Sequence, residues 1–229
     1  MEKPQYSQSE VIKLVGSRLL IGIPILLLIL FLPAGTFKYW EAWIYLAVLI
    51  IPLSIVMVYF IKKSPELLVR RMQFREKEAT QRRIIALAYI PFIIQFVLPG
   101  IGKRLGWSNI PIIIVLLADI FVLTGYLFVI SVFKENQYAS RIIEVDQKQK
   151  VTQTGPYRLV RHPMYLGTII MYLASPIALG SYWAIIPALF FIPVLVARII
   201  NEEKVLEKDL EGYLEYKAKT KYRLMPGIW

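Results

Sequence analysis

The chain has 229 residues, of which 57% are hydrophobic, and its mean hydropathy is +0.54. Soluble domains use only about 45–50% apolar residues, so this composition excludes most soluble folds and predicts an integral membrane protein. The absence of cysteine excludes disulfides, thiolate catalysis and cysteine-based metal sites, and a single histidine with no His/Asp/Glu cluster near it makes a zinc site unexpected. The net charge is +11.

Six apolar segments approach or reach the roughly 17–25 residues that an α-helix needs to cross a bilayer. They cover about residues 19–32, which residues 11–15 can extend, then 40–61, 84–98, 110–133, 163–179 and 182–200. The last two surround a Gly180-Ser181 turn, so they predict either two spans or one re-entrant hairpin. We expect an all-α, polytopic membrane protein of five to six transmembrane helices, with N-terminal helices in residues 1–133 and a more polar C-terminal part in residues 134–229.

The distribution of basic residues predicts the orientation in the membrane. If the N-terminus is cytoplasmic, only Lys38, Lys103 and Arg104 of the 27 lysines and arginines face outside, which leaves 24 on the other side. The positive-inside rule therefore predicts that both termini are cytoplasmic. Residues 62–83 carry eight basic and three acidic side chains, as expected beside anionic lipids. Because the membrane accounts for this charge, nucleic-acid binding is not expected.

A polar segment surrounds the only histidine at the start of a hydrophobic run. Residues 155–167 read Gly-Pro-Tyr-Arg-Leu-Val-Arg-His-Pro-Met-Tyr-Leu-Gly. Proline is favoured in the first helical turn, so Pro163 is predicted to begin a helix that His162 caps. A helix N-terminus attracts carboxylates and phosphates, which indicates a cofactor site. The alternative is that Arg158, Arg161 and His162 only contact lipid headgroups.

A second polar group follows the last apolar segment. Arg198, Asn201 and Glu202 are spaced i, i+3 and i+4, so they share one helix face just below the membrane. One interpretation is an ion pair on a solvated helix. The other is one wall of a pocket, because the tight hairpin would bring these residues close to His162.

Two other features carry weaker signals. Residues 100–106, Gly-Ile-Gly-Lys-Arg-Leu-Gly, are predicted to form a loop, because their glycine spacing and the lack of a preceding strand do not fit a dinucleotide-binding motif. Asp119 lies in the middle of the fourth span, where a carboxylate is costly. It is expected either to pair with a neighbouring helix or to serve the reaction.

The chain resembles the isoprenylcysteine carboxyl methyltransferases and the related phospholipid methyltransferases, which are membrane enzymes that use S-adenosylmethionine. The resemblance covers roughly residues 134–229. It rests on Thr-Gly-Pro-Tyr157, Arg-His-Pro-Met-Tyr-Leu-Gly167, Arg198 with Glu202-Glu203, Gly-Tyr-Leu-Glu-Tyr216 and Arg-Leu-Met-Pro226. The chain departs from the family in having no histidine between residues 136 and 150, where many isoprenylcysteine enzymes have one.

The resemblance implies a C-terminal cytoplasmic pocket for S-adenosylmethionine. Its implied cofactor-binding residues are Gln149, Lys150, Val151, Thr152, Tyr157, His162, Pro163, Met164, Tyr165 and Glu202. Arg198 would bind the acceptor, and Arg198 and Glu203 would be the catalytic residues. The implied acceptor is a lipophilic molecule in the membrane, with the carboxylate of an isoprenylcysteine-like substrate as the first expectation, and membrane lipids are the other expected partners.

Three alternatives remain open. A phospholipid N-methyltransferase would need Glu203 or His162 to take a proton from the acceptor amine. An NADPH-dependent sterol or enone reductase shares a similar Arg-His-Pro-x-Tyr turn, but Thr168 stands where such reductases usually carry an acid. A channel, transporter or receptor would need polar spans, whereas these are apolar apart from Asp119 and Gln95.

Overall fold

The computed structural model describes residues 6–73, 76, 78–142, 145–146 and 149–229, and within these ranges it contains helices and no strand. The helices are α1 (Gln8–Ala34), α2 (Trp40–Lys63), α3 (Pro65–Arg71), α4 (Ala79–Leu105), α5 (Ile112–Glu135), α6 (Pro163–Ala178), α7 (Ile185–Asp209) and α8 (Tyr213–Lys219). A short 3₁₀ turn, Gly155–Arg158, precedes α6. The predicted all-α fold is confirmed.

Five of the described helices, α1, α2, α4, α5 and α7, are long and apolar enough to cross a membrane. Their outer faces carry large apolar side chains, of which Leu20, Leu32 and Leu87 are 78%, 73% and 68% exposed. So much exposed apolar surface is unusual for a soluble monomer and suits contact with lipid. The fifth apolar segment, residues 163–179, forms α6, which has 16 residues and is shorter than a typical span.

Residues 100–105 were predicted to form a loop, and this prediction is wrong. They form the last turns of α4, which ends at Gly106 in the left-handed conformation at φ 66°. Gly100 and Gly102 lie inside this helix, and Gly100 faces the backbone of α1. A Cβ atom added to Gly100 would lie 2.8 Å from the carbonyl oxygen of Leu30 on α1, so glycine permits the close approach of the two helices.

Helix α6 packs closely against α5 near its N-terminal end. A Cβ atom on Gly167 would lie 2.7 Å from Val129 Cγ2 and 2.9 Å from the carbonyl oxygen of Gly125. The opposite end of α6 is tied to α2, because the buried Tyr39 donates a hydrogen bond to the carbonyl oxygen of Leu179 at 2.6 Å. Helix α6 is therefore held at both ends by the N-terminal helices.

The end of the chain folds back against the start of α6. The backbone N–H groups of Arg161 and His162 donate to the carbonyl oxygens of Tyr222 and Arg223, both at 2.9 Å. These bonds tie the two residues before Pro163 to the end of the chain, so helix α6 begins at a fixed place.

Candidate active site

A cleft of about 790 Å³, its open mouth included, lies where α6 begins. All ten residues that the resemblance implied for cofactor binding line this cleft: the 149–152 strip, Tyr157, the 162–165 turn and Glu202. The structure brings them together from a loop, a 3₁₀ turn and two helices, and their role in binding stays a prediction.

Tyr165 joins the two predicted walls of the cleft. Its hydroxyl donates to Glu202 Oε2 at 2.6 Å and accepts a hydrogen bond from Arg198 Nε at 2.8 Å. Tyr165 is on the first turn of α6, whereas Arg198 and Glu202 are one turn apart on α7. The tight connection between α6 and α7 allows this contact, as the sequence predicted for the two polar groups.

Arg198 lies behind Tyr165 and is not one of the residues that line the cleft. Its Nη2 donates to the carbonyl oxygen of Arg141 at 2.7 Å, and its Nη1 donates to Gln81 Oε1 at 3.2 Å. A guanidinium group has five N–H donors, so donors remain for a further ligand after these contacts. The predicted role of Arg198 in binding the acceptor stays a prediction.

Glu203 is buried beside the cleft and binds three side chains. Its Oε1 accepts from Arg161 Nε at 2.7 Å and lies 3.2 Å from His162 Nε2, and its Oε2 accepts from Arg223 Nε at 2.8 Å. Because a carboxylate only accepts hydrogen bonds, the contact with His162 requires a proton on Nε2. Glu203 does not line the cleft, and its partners give it a clear structural function. Its predicted catalytic role stays a prediction.

Ten further residues line the cleft, and the resemblance implied no cofactor-binding role for them. These are Asn136, Tyr138, Ala139, Ser140, Ile142, Arg161, Leu206, Leu210, Tyr213 and Tyr216. The first five belong to an irregular strip after α5, of which residues 143, 144, 147 and 148 lie outside the described residues. Long-range contacts hold this strip, since Arg71 of α3 donates to the carbonyl oxygen of Ser140 at 2.9 Å.

Tyrosines form one side of the cleft. Asn136 Nδ2 donates to Tyr157 Oη at 3.0 Å, and Tyr216 Oη donates to the carbonyl oxygen of Tyr157 at 2.8 Å. Burial raises the pKa of Tyr157 to about 12, so its phenol stays neutral at physiological pH. The hydroxyl of Tyr213 is buried and has no hydrogen-bond partner in the described part of the chain.

These groups fit a cofactor that has both a cationic and a polar end. Glu202 offers a carboxylate to an ammonium group, and the faces of Tyr157 and Tyr165 suit a positively charged sulfonium group. The buried hydroxyl of Tyr213 still lacks a partner among the described residues, so it can hydrogen-bond a ligand. S-adenosylmethionine has the matching groups: an ammonium, a sulfonium and a carboxylate that can accept a hydrogen bond.

Comparison with known proteins confirms the predicted resemblance. A family model described as phospholipid methyltransferase matches residues 113–211, which run from α5 through α7. The chain is also 34% identical over 79 residues to the Delta(14)-sterol reductase TM7SF2 of Mus musculus. That match covers 33% of this chain and 19% of the reductase, so the chain spans about a fifth of the length of this relative.

Proposed function

Because residues 113–211 match the phospholipid methyltransferase family, we propose that this protein is a membrane methyltransferase that uses S-adenosylmethionine. The cofactor supplies an activated methyl group on a positively charged sulfur. The observation that supports the proposal most strongly is the convergence of the ten implied cofactor residues on one cleft. Chance would rarely collect residues from four separate segments around one opening.

In the proposed site, the protein binds the two charged groups of the cofactor's amino-acid end. Glu202 binds the ammonium, and the N-terminus of α6 at Pro163 attracts the carboxylate. Tyr165 keeps Glu202 in place through the hydrogen bond of 2.6 Å and in turn is held by Arg198. This chain of contacts fixes the position of the cofactor before the acceptor arrives.

We propose a carboxylate as the acceptor, as in an isoprenylcysteine-like lipid. A carboxylate loses no proton when it is methylated, whereas a protonated amine must lose one. Both candidate proton acceptors in the sequence are engaged: His162 contacts Glu203, and Glu203 also accepts from Arg161 and Arg223. Arg198, with its remaining N–H donors, would bind the acceptor carboxylate.

Two alternative functions are each favoured by one comparison. The description of the matching family model favours a phospholipid amine as the acceptor. The identity to a Delta(14)-sterol reductase favours an NADPH-dependent reduction. Against a reductase, residue 168 is a threonine whose hydroxyl donates to the carbonyl oxygen of Met164 at 2.9 Å within α6, so it provides no acid at that position.

Calorimetric titration of the purified protein with S-adenosylmethionine and, separately, with NADPH tests the reaction class. We expect saturable binding of S-adenosylmethionine and no heat from NADPH. Binding of NADPH alone would replace the methyltransferase proposal with the reductase.

Single-turnover methylation at saturating cofactor tests the acceptor. We expect methyl transfer to a farnesylated cysteine with a free carboxylate and none to phosphatidylethanolamine. Arg198→Lys keeps the charge but loses the planar group that binds a carboxylate through two hydrogen bonds, so the rate should fall about 100-fold. Transfer to phosphatidylethanolamine alone, with little effect of Arg198→Lys, would identify an amine acceptor.

A further inference from the structure

The region matched by the family model ends at residue 211, but the cleft continues beyond it. Helix α8 begins at Tyr213, and both Tyr213 and Tyr216 line the cleft. The last wall of the site is therefore built by two tyrosines of the Gly-Tyr-Leu-Glu-Tyr216 motif, which are not among the implied cofactor-binding residues.

The two tyrosines of α8 have different hydrogen bonding. Both are buried, at 4% and 3% exposure. The hydroxyl of Tyr216 donates to the carbonyl oxygen of Tyr157, whereas that of Tyr213 has no partner within the described ranges. Burial of a hydroxyl without a hydrogen bond costs free energy, so such a group is normally satisfied by a water or a ligand.

The orientation of Tyr213 is fixed by its neighbours. Its ring packs edge-to-face on that of Tyr216, with the centroids 5.9 Å apart, and the two tyrosines form one apolar cluster with Leu210. Helix α8 is further held by the backbone at Gly212, which adopts a left-handed conformation with φ 79°. The side chain of Tyr213 therefore stays at the cleft and has little freedom to seek another partner.

Burial and nearby charges keep the hydroxyl of Tyr213 protonated. Burial and the nearby carboxylate of Glu203 hold its pKa above the ordinary value, and Arg161 and Glu202 also act on it. The phenol therefore stays protonated. Tyr213 and Glu202, the residue proposed to bind the ammonium of the cofactor, both line the cleft.

We propose that Tyr213 is a further ligand-binding residue, whose hydroxyl hydrogen-bonds the amino-acid end of S-adenosylmethionine. A phenol can donate to the carboxylate of that end or accept from its ammonium. The inference rests on the proposed function, because it takes the cofactor to be S-adenosylmethionine. It adds a contact from α8, so the C-terminal helix completes the cofactor site.

Tyr213→Phe removes the hydroxyl and keeps the ring. We expect the affinity of the full-length variant for S-adenosylhomocysteine, measured by calorimetry, to fall about tenfold or more, as for a lost hydrogen bond to a charged group. Affinity for 5′-methylthioadenosine, which lacks the amino-acid end, should stay within about twofold. Tyr182→Phe serves as the control, because Tyr182 is exposed at the opposite end of α6.

Stability of the ligand-free variants gives a second, independent measurement. Loss of an unpaired buried hydroxyl should leave the Tm of Tyr213→Phe equal to that of the wild type or higher. Tyr216→Phe should lower the Tm, because it breaks the hydrogen bond to Tyr157. A clear fall in Tm for Tyr213→Phe would mean that its hydroxyl is bonded within the protein, and the proposal would be wrong.

The binding results separate failure of this inference from failure of the proposed function. Unchanged affinity of Tyr213→Phe for S-adenosylhomocysteine, or an equal loss for both ligands, overturns the role of Tyr213 while the methyltransferase proposal stands. No binding of S-adenosylhomocysteine to the wild-type protein overturns the methyltransferase proposal, and this inference with it.

Discussion

Glu202 and Glu203 are adjacent in sequence but face different surroundings. Glu202 lines the cleft and accepts a hydrogen bond from Tyr165, whereas Glu203 is turned away into a cluster with Arg161 and Arg223. Successive residues on a helix are about 100° apart, so one of the pair can serve a ligand while the other serves the fold. Two predictions follow from this division.

Replacement of Glu202 should weaken cofactor binding without unfolding the protein. Glu202→Gln keeps an oxygen that can accept from Tyr165 but removes the charge that attracts an ammonium group. Loss of a charge-assisted hydrogen bond costs about 1.5–3 kcal/mol, so the Kd for S-adenosylmethionine should rise roughly 10- to 150-fold. Calorimetry measures the change, with Glu215→Gln on the exposed face of α8 as the control. Unchanged affinity in folded Glu202→Gln protein would show that the cofactor is bound elsewhere.

Replacement of Glu203 should instead destabilise the protein. Glu203→Ala leaves the guanidinium group of Arg161 buried without its carboxylate, at a cost of about 3–5 kcal/mol. The Tm in detergent should fall by roughly 10 °C or more. Glu207→Ala is the control, because Glu207 pairs with Lys217 in a much more exposed position of the same helix. A wild-type Tm combined with lost methyl transfer would contradict this prediction and support a catalytic role for Glu203.

At the scale of the helices, small residues decide how closely α5 and α6 approach each other. The methyltransferase-like motif ends in Gly167, whose missing side chain leaves room for Gly125 and Val129. The same close packing sets the position of Tyr165, one half-turn earlier on α6. Gly167, which does not line the cleft itself, thus contributes to the geometry of the cleft.

Gly167→Ala should destabilise the protein. The added methyl group would lie 2.7 Å from Val129 Cγ2 and 2.9 Å from a backbone oxygen of α5, so the helices must move apart. Such overpacking costs about 1–3 kcal/mol. Gly22→Ala in α1 is the matched control, because no atom lies within 4 Å of its added methyl group. We expect it to be neutral or stabilising, since alanine favours helix over glycine. Equal Tm values for the two variants would contradict the close packing of α5 and α6.

The sequence predicted the helices well where length and hydrophobicity determine the structure. It predicted the structure poorly where contacts between distant parts of the chain determine it. The spans needed only long apolar runs, but the strip after α5 has no periodicity, and its shape depends on donors from Arg71 and Arg198. The last turns of α4 were missed because glycine spacing alone says nothing about the proximity of Leu30. The role proposed for Tyr213 could not be predicted for the same reason, since only the fold shows that its hydroxyl is buried with no partner among the described residues.

For the whole molecule, the cleft and the basic residues are on the same predicted side. Residues 62–83 and the ends of α6 and α7 that form the cleft would all face the cytoplasm. This arrangement is coherent with the proposed function, because a water-soluble cofactor would enter from the cytoplasm while an apolar acceptor would enter between the helices. The orientation is therefore the property of the whole protein that most needs a test.

The two ends of α2 offer that test in a chain that has no cysteine of its own. Lys38 lies just before α2 and Lys62 lies in its last turn, both exposed, and the helix of 24 residues spans roughly 36 Å, enough to cross the apolar core of a bilayer. Because the predicted topology places 24 of the 27 basic residues on the side of Lys62, we expect that side to be cytoplasmic. A membrane-impermeant maleimide should label Lys38→Cys in intact cells but label Lys62→Cys only after lysis. Each variant controls for the accessibility of the other, since both place one cysteine at an exposed lysine position at opposite ends of the same helix. Labelling of Lys62→Cys alone in intact cells would mean that the orientation is opposite to the predicted one. The cleft would then lie outside the cell, without access to cytoplasmic S-adenosylmethionine.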